Sequence, residues 1–164
     1  MTGRGKLAVV VAHGELAHGL VTAMESVLGP QPNVRWLSNT GKTPAALLAG
    51  LEELVRAEGA GRDVYLLSDL KGGSCALACL RTARTSGVRA VLHGANLTLL
   101  LEFVMLQHLP AGPFLDALLE KTRASVGATE LDGGAGEREP AGAESADGAG
   151  ATAGAPEGAR RISS

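Results

Sequence analysis

Lys6-Leu7-Ala8-Val9-Val10-Val11-Ala12-His13-Gly14 is the run that decides the fold: six apolar residues without alternation, closed by a histidine and a glycine. A strand with one wet face alternates apolar and polar side chains, whereas a strand covered on both faces does not. The run therefore reads as a central strand of a sheet that carries helices on each side. Downstream, Leu16, Leu20, Met24, Val27 and Leu28 recur at helical spacing until Gly29-Pro30 ends the stripe. Asn33–Leu37 is a short second strand. Thr43-Pro44 then supplies an N-cap and a first-turn proline ahead of Leu47, Leu48, Leu51, Leu54 and Val55, and Gly59 and Gly61 stop that helix.

The alternation continues. Asp63–Ser68 is a third strand, Ser74 to about Ser86 a helix, Val88–His93 a fourth strand, and Asn96–His108 and Pro113–Ala124 two more helices. The order βαβαβαβαα with short connections predicts a three-layer α/β fold. Its open, mostly parallel sheet has strand order 2-1-3-4 and helices on both faces. Aromatic residues make up only 2% of the chain, so the core is expected to rest on Leu, Val and Ala. Leu97–Leu106 is apolar nearly all round, which predicts cover on more than one side and, with it, a subunit interface.

Composition changes near Val126. Residues 127–164 hold ten Ala and nine Gly, with Leu131 and Ile162 as the only large aliphatics. Seven acids and three arginines give this tail −4, so the first 126 residues carry +2 of the chain's −2. Such a segment buries too little apolar area to offset its ordering entropy. A folded domain is expected over 1–126 and a mostly disordered tail over 127–164, disordered from about Gly133.

Charge and composition exclude several function classes. A net charge of −2 with one Trp, one Tyr and two Phe provides neither a phosphate-attracting surface nor stacking platforms for nucleic acid. No segment approaches ~18 uncharged apolar residues, so membrane insertion is not expected. Two cysteines four apart are no disulfide framework, and the apolar run after the N-terminus is too short for a signal peptide. A cytoplasmic location is expected.

In an open parallel sheet, ligands bind beyond the C-terminal strand ends where the strand order reverses. In a 2-1-3-4 order that crevice lies between the first and third strands. Past those ends stand Ala12-His13-Gly14 and Ser68-Asp69-Leu70-Lys71-Gly72-Gly73-Ser74. A carboxylate from Asp69 on one ring nitrogen would hold His13 in a single tautomer and leave the other lone pair to attack. Gly72, Gly73 and Ser74 precede a helix, so backbone amides and the positive dipole end can receive an anion. The same three residues also suit an ordinary tight turn and cap. The parts together describe a histidine that accepts and hands on a phosphoryl group.

Three motifs resemble one family. Val9-Val10-Val11-Ala12-His13-Gly14, Ser68-Asp69-Leu70-Lys71-Gly72-Gly73-Ser74 and Gly94-Ala95-Asn96-Leu97 are similar to the enzyme IIA component of mannose-family sugar phosphotransferase systems, in the same order over roughly residues 6–126. The resemblance implies a cytoplasmic homodimer that takes phosphate on His13 from the phosphocarrier HPr and passes it to a IIB partner. It implies that the phosphate sits on Nε2, that Asp69 holds Nδ1, and that Ser74 is the family's loop serine. It also implies a last strand crossing to the other subunit, for which Ser125–Leu131 would be the matching piece and 127–131 an antiparallel edge strand. Gly14, Lys71 and Asn96 are peripheral site candidates. Ala12 stands where the family often has a small hydroxyl residue, Lys71 where it often has a hydrophobic one, and Cys75 where it often has proline. With no IIB domain after the tail, the acceptor would be another chain, for sugar uptake or for a regulatory relay.

Other readings compete. Gly41-Lys42-Thr43 ends like a P-loop, but the first glycine would fall on Trp36. His13-Gly14 lacks the preceding arginine of phosphoglycerate-mutase-like phosphatases. A non-catalytic regulatory binding module would keep the crevice without turning over phosphate. A small metal-binding, chelatase-like protein would use His13 and His93, with His18 nearby, yet strands one and four are not neighbours in the expected order. The transfer itself calls for no cofactor and no metal, because fixed donors can stabilise the charge. Cys75 and Cys79, one helical turn apart, read as small buried packing residues.

Overall fold

The computed structural model describes residues 5–129. Four strands, β1 (Lys6–Ala12), β2 (Val34–Ser38), β3 (Asp63–Ser68) and β4 (Ala90–His93), form one parallel sheet in the order β2-β1-β3-β4. Five helices accompany it: α1 (Leu16–Leu28), α2 (Pro44–Glu58), α3 (Gly73–Thr85), α4 (Leu97–Met105) and α5 (Ala111–Ala124). The expected class, topology and strand order are those observed.

β1 is buried along its whole length, as its unbroken apolar run requires. Alternate residues serve opposite faces. Ala8, Val10 and Ala12 pack with α1, α4 and α5, while Leu7, Val9 and Val11 pack with α2 and α3. The two cores differ in kind. The α2–α3 side is aliphatic, with Cys75 and Cys79 among the leucines and valines. The other side contains Tyr65, Phe103 and Phe114, fully buried, with ring centroids 5.1–5.6 Å apart and two of the three pairs edge-on. Three of the chain's four Phe, Tyr and Trp residues thus meet in one place, a cluster that the low aromatic content alone does not suggest. Each such pair contributes about 0.5–1.5 kcal/mol beyond its area.

Part of the cover expected for α4 comes from within the chain. Leu99, Leu100, Phe103 and Val104 are buried with Phe114 and Leu118 of α5, and Leu97, Leu101 and Leu106 are half-buried against the same core. Glu102 on α4 meets Lys121 of α5 at 3.3 Å. Ser125 to Thr129 join no strand of the described residues. Glu130, Leu131 and the tail expected to be disordered from Gly133 lie outside them.

Lys6 is a further departure from a simple reading. It opens β1 as a polar boundary residue yet is buried, donating from Nζ to the carbonyls of Gln107 (2.9 Å) and Leu109 (2.7 Å) with Nζ 4.9 Å from the Phe114 ring centre. Burial pushes its pKa down, opposed by the Asp63 charge. This lysine pins the start of the central strand to the α4–α5 turn. Boundaries elsewhere move by up to three residues: β4 begins at Ala90 rather than Val88, and α4 stops at Met105 rather than His108.

Candidate functional site at the C-terminal sheet edge

β1 and β3 are adjacent and in register from Lys6↔Asp63 to Val11↔Ser68, so the residues that leave their C-terminal ends emerge side by side. That register brings His13 and Asp69 together. The His13 ring presents Nδ1 to Asp69 Oδ2 at 2.9 Å, and the His13 backbone N–H donates to the same oxygen at 3.0 Å. Asp69 Oδ1 accepts from the Leu70 N–H at 2.9 Å. Burial pushes the Asp69 carboxyl up. The hydrogen bonds from the His13 amide, the His13 ring and the Leu70 amide outweigh it and hold the group below the ordinary carboxylate value. An ionised carboxylate only accepts, so Nδ1 carries the proton and Nε2 keeps its lone pair. The His13 side chain is 42% exposed, that of Asp69 only 8%, which leaves the free nitrogen open while its orienter is shielded.

The loop that carries His13 is fixed from the opposite side by β2. Asn39 Oδ1 accepts from the Gly14 N–H at 3.2 Å, the Asn39 N–H donates to the Ala12 carbonyl at 3.2 Å, and Ser38 Oγ donates to the Gly14 carbonyl at 2.6 Å. Gly14 itself takes φ +56°, a left-handed conformation that suits glycine. Ser38 and Asn39 were not singled out in the sequence. The available signal was topological: β2 borders β1, so polar residues at its C-terminal end had to reach the same loop.

The Gly72-Gly73-Ser74 loop also comes to His13. A Cβ on Gly73 would stand 3.8 Å from His13 Cε1 and 3.9 Å from Nε2, and Gly73 has φ +88°. The backbone conformation favours glycine there, while a side-chain methyl would sit in ordinary contact with the ring. Ser74 is not the helix cap, because α3 starts at Gly73 with Gly72 as N-cap, in extended conformation and without a side-chain cap bond. The first-turn amides therefore point outward without a capping oxygen, the arrangement that receives an anion. Lys71, Gly72 and Gly73 form one wall of a shallow groove of about 330 Å³, with Ala76, Leu77 and Leu80 on the other. Leu70, Leu77 and Leu80 are exposed around it.

Asn96 is occupied elsewhere. It caps α4, accepting from the Leu99 N–H at 3.0 Å and donating to the Gly94 carbonyl at 2.9 Å. His93 and His13 are separated by β3, and His93 presents Nδ1 to Ser68 Oγ at 2.7 Å. His18 lies on the surface, its ring stacked near Trp36 with centroids 4.8 Å apart. The chelatase-like set of three histidines is not assembled. Cys75, read as packing, is buried but close to the site: His13, Asp69 and Cys75 each offer an atom within 4.8 Å of the others. Burial and the Asp69 charge raise its thiol pKa. A larger groove of about 830 Å³ opens between the C-terminal ends of α2 and α3, which is the opposite edge of the sheet.

Comparison with known proteins agrees with this architecture. A protein described as a phosphoenolpyruvate-dependent sugar phosphotransferase system permease from Klebsiella pneumoniae superposes with a TM-score of 0.70 at 22% identity, covering 78% of this chain and 93% of that one. The PTS IIA protein associated with the fucose utilization operon of Streptococcus pneumoniae gives 0.68 at 22% identity, covering 78% and 96%. The mannose/sorbose specific IIA subunit of Enterococcus faecalis gives 0.68 at 17% identity, covering 79% and 98%. At these identities the likeness is one of fold. Among curated proteins none matches by sequence. The family model EIIA-man, PTS system fructose IIA component, matches residues 8–122, most of the chain. The chain belongs to the EIIA-man family of phosphotransferase-system IIA components.

Proposed function

We propose that the domain over residues 1–126 is a phosphoryl carrier that takes its phosphate from HPr on His13. The observation that carries this reading is the 2.9 Å contact between His13 Nδ1 and Asp69 Oδ2. Nε2 attacks the phosphorus of phosphorylated HPr, the bond to the donor breaks as the new N–P bond forms, and the ring becomes cationic. Asp69 keeps the Nδ1 proton in place and offsets that charge. Gly73 lets the backbone approach the incoming anion, the amides at the start of α3 face it, and Gly72 and Ser74 complete the seat. Lys71 adds a cation at the rim, and Gly14 sets the turn that aims the ring. Transfer onward goes to a IIB partner, or the phosphorylated state serves as a regulatory signal.

A homodimer in the cytoplasm fits this role. Both cysteines are free, and no helix among the described residues is long and apolar enough to cross a membrane. Incubation with phosphoenolpyruvate, enzyme I and HPr should place one acid-labile phosphate on the protein, and His13→Ala should take none. Label on the alanine variant would overturn the assignment.

A further inference from the structure

We propose that His13, Asp69 and Cys75 form a binding site for a zinc-type divalent cation, and that cation binding and phosphorylation of His13 exclude each other. The second half rests on the carrier reading above; the first does not.

The three side chains come from three elements: the end of β1, the end of β3 and the first turn of α3. One nitrogen, one carboxylate oxygen and one sulfur lie within 4.8 Å of one another. His13 Nδ1 and Asp69 Oδ2 stand 2.9 Å apart, joined by a hydrogen bond that coordination through Nδ1 would replace, the ring proton moving to Nε2. Tetrahedral zinc with bonds of about 2.0–2.3 Å sets its ligand atoms roughly 3.3–3.8 Å apart. Atoms spread over 4.8 Å need to draw together by about an ångström to reach that spacing. Cys75 is the buried floor, Asp69 the shielded wall and His13 the open side, where water completes the fourth position. Asp69 is already anchored by two backbone amides, and its carboxylate oxygens keep lone pairs to spare.

The donor set selects the ion. A thiolate with an imidazole and a single carboxylate suits Zn²⁺ and its neighbours, not Mg²⁺ or Ca²⁺, which take oxygen ligands. In the free protein, burial and the neighbouring carboxylate keep the thiol protonated. A dication reverses that balance and displaces the proton, so each binding event releases one H⁺ to the buffer. Cys79, one turn further on, has its pKa pushed up to about 12, by burial first, and is not in the cluster.

Mutual exclusion follows from the lone-pair count. A neutral imidazole has one free lone pair, and coordination through either ring nitrogen consumes it, leaving no nucleophile. A phosphoryl group on Nε2 uses the same pair and leaves Nδ1–H facing Asp69. Whatever the phosphate does to cation affinity, the cation does to phosphate occupancy.

The test begins with protein stripped by a chelator and titrated with Co²⁺. The expected result is a thiolate-to-cobalt charge-transfer band that saturates at one equivalent and is displaced by Zn²⁺. Cys75→Ala and Cys75→Ser should lose the band and weaken Zn²⁺ binding at least about tenfold in competition with a chromophoric chelator. Cys79→Ala should keep both, and circular dichroism checks that each variant folds. Absence of the band from the wild type, or unchanged Zn²⁺ affinity in folded Cys75 variants, overturns the site. Phosphate uptake from HPr is then followed with and without one equivalent of Zn²⁺. Inhibition that a chelator reverses supports exclusion; uptake unaffected by bound Zn²⁺ refutes it. Failure to take phosphate in metal-free buffer would instead strike the carrier reading and leave the cation site standing.

Discussion

His13 and His93 stand at the ends of β1 and β4, and each presents Nδ1 to one of two consecutive residues where the strand between them ends, Ser68 closing β3 and Asp69 following it. His13 meets Asp69 Oδ2 at 2.9 Å, and His93 meets Ser68 Oγ at 2.7 Å. Ser68 Oγ also lies 2.8 Å from the Leu70 carbonyl, and donating its hydrogen there lets it accept from a His93 Nδ1–H. The two rings differ in the charge beside them. A carboxylate stabilises an imidazolium; a hydroxyl already engaged with a carbonyl does so far less. Only His13 also has the Gly73 backbone beside its free nitrogen. Strand-end placement therefore makes a histidine available, and the residue it meets at the end of β3, a carboxylate or a hydroxyl, sets what the ring is bonded to.

Asp69→Asn is the sharpest way to break that contrast, because the amide can offer a donor to Nδ1 and favour the wrong tautomer. Phosphoryl transfer should fall by roughly 10²–10⁴-fold while the fold persists, read by rates of label uptake beside circular dichroism. The same variant alters stability with pH. Asp69 is held below its ordinary value in the folded state. Its contribution is thus present above about pH 4 and lost as pH falls through the folded value. Denaturant melts across that range should be flatter for the variant.

Gly73→Ala should come next. A left-handed backbone position costs a side chain about 1–2 kcal/mol. The new methyl would also stand 3.9 Å from Nε2, where the proposed phosphoryl group would enter. A loss of stability in that range with slowed uptake is expected; unchanged uptake would remove the loop from the phosphate seat. The smallest catalytic effect belongs to the other histidine. Ser68→Ala strips His93 Nδ1 and the Leu70 carbonyl of their side-chain partner and should cost about 1–3 kcal/mol of stability. Uptake should change by no more than a few-fold there and in His93→Ala. A large drop in either would erase the contrast drawn between the two rings.

Much of the fold is legible in the sequence. The β1 run carries no alternation because α2–α3 and α1–α4–α5 cover its two faces, so period and burial tell the same story. Thr43-Pro44 announced α2, and Thr43 Oγ1 does accept from the Ala46 N–H at 3.2 Å. The His13–Asp69 contact was legible because parallel order and short loops leave few ways to arrange the strand ends. Register-dependent features were not. Asn39 supports the Gly14 loop only because β2 pairs with β1 from Ala8↔Val34 to Ala12↔Ser38, and composition does not encode that alignment. Cys75 reaches the site through the phase of the first turn of α3, where one residue of shift would turn it away. The all-round apolar character of α4 reported that the helix is covered but not by what, and α5 supplies part of that cover.

The central claim is tested most directly by nuclear magnetic resonance of protein labelled with ¹⁵N in its histidine rings, before and after phosphorylation by HPr. The account predicts that His13 starts as the Nδ1–H tautomer and acquires phosphorus coupling at Nε2, with the rings of His18, His93 and His108 free of it. Coupling at His13 Nδ1, or on any other histidine, would contradict it.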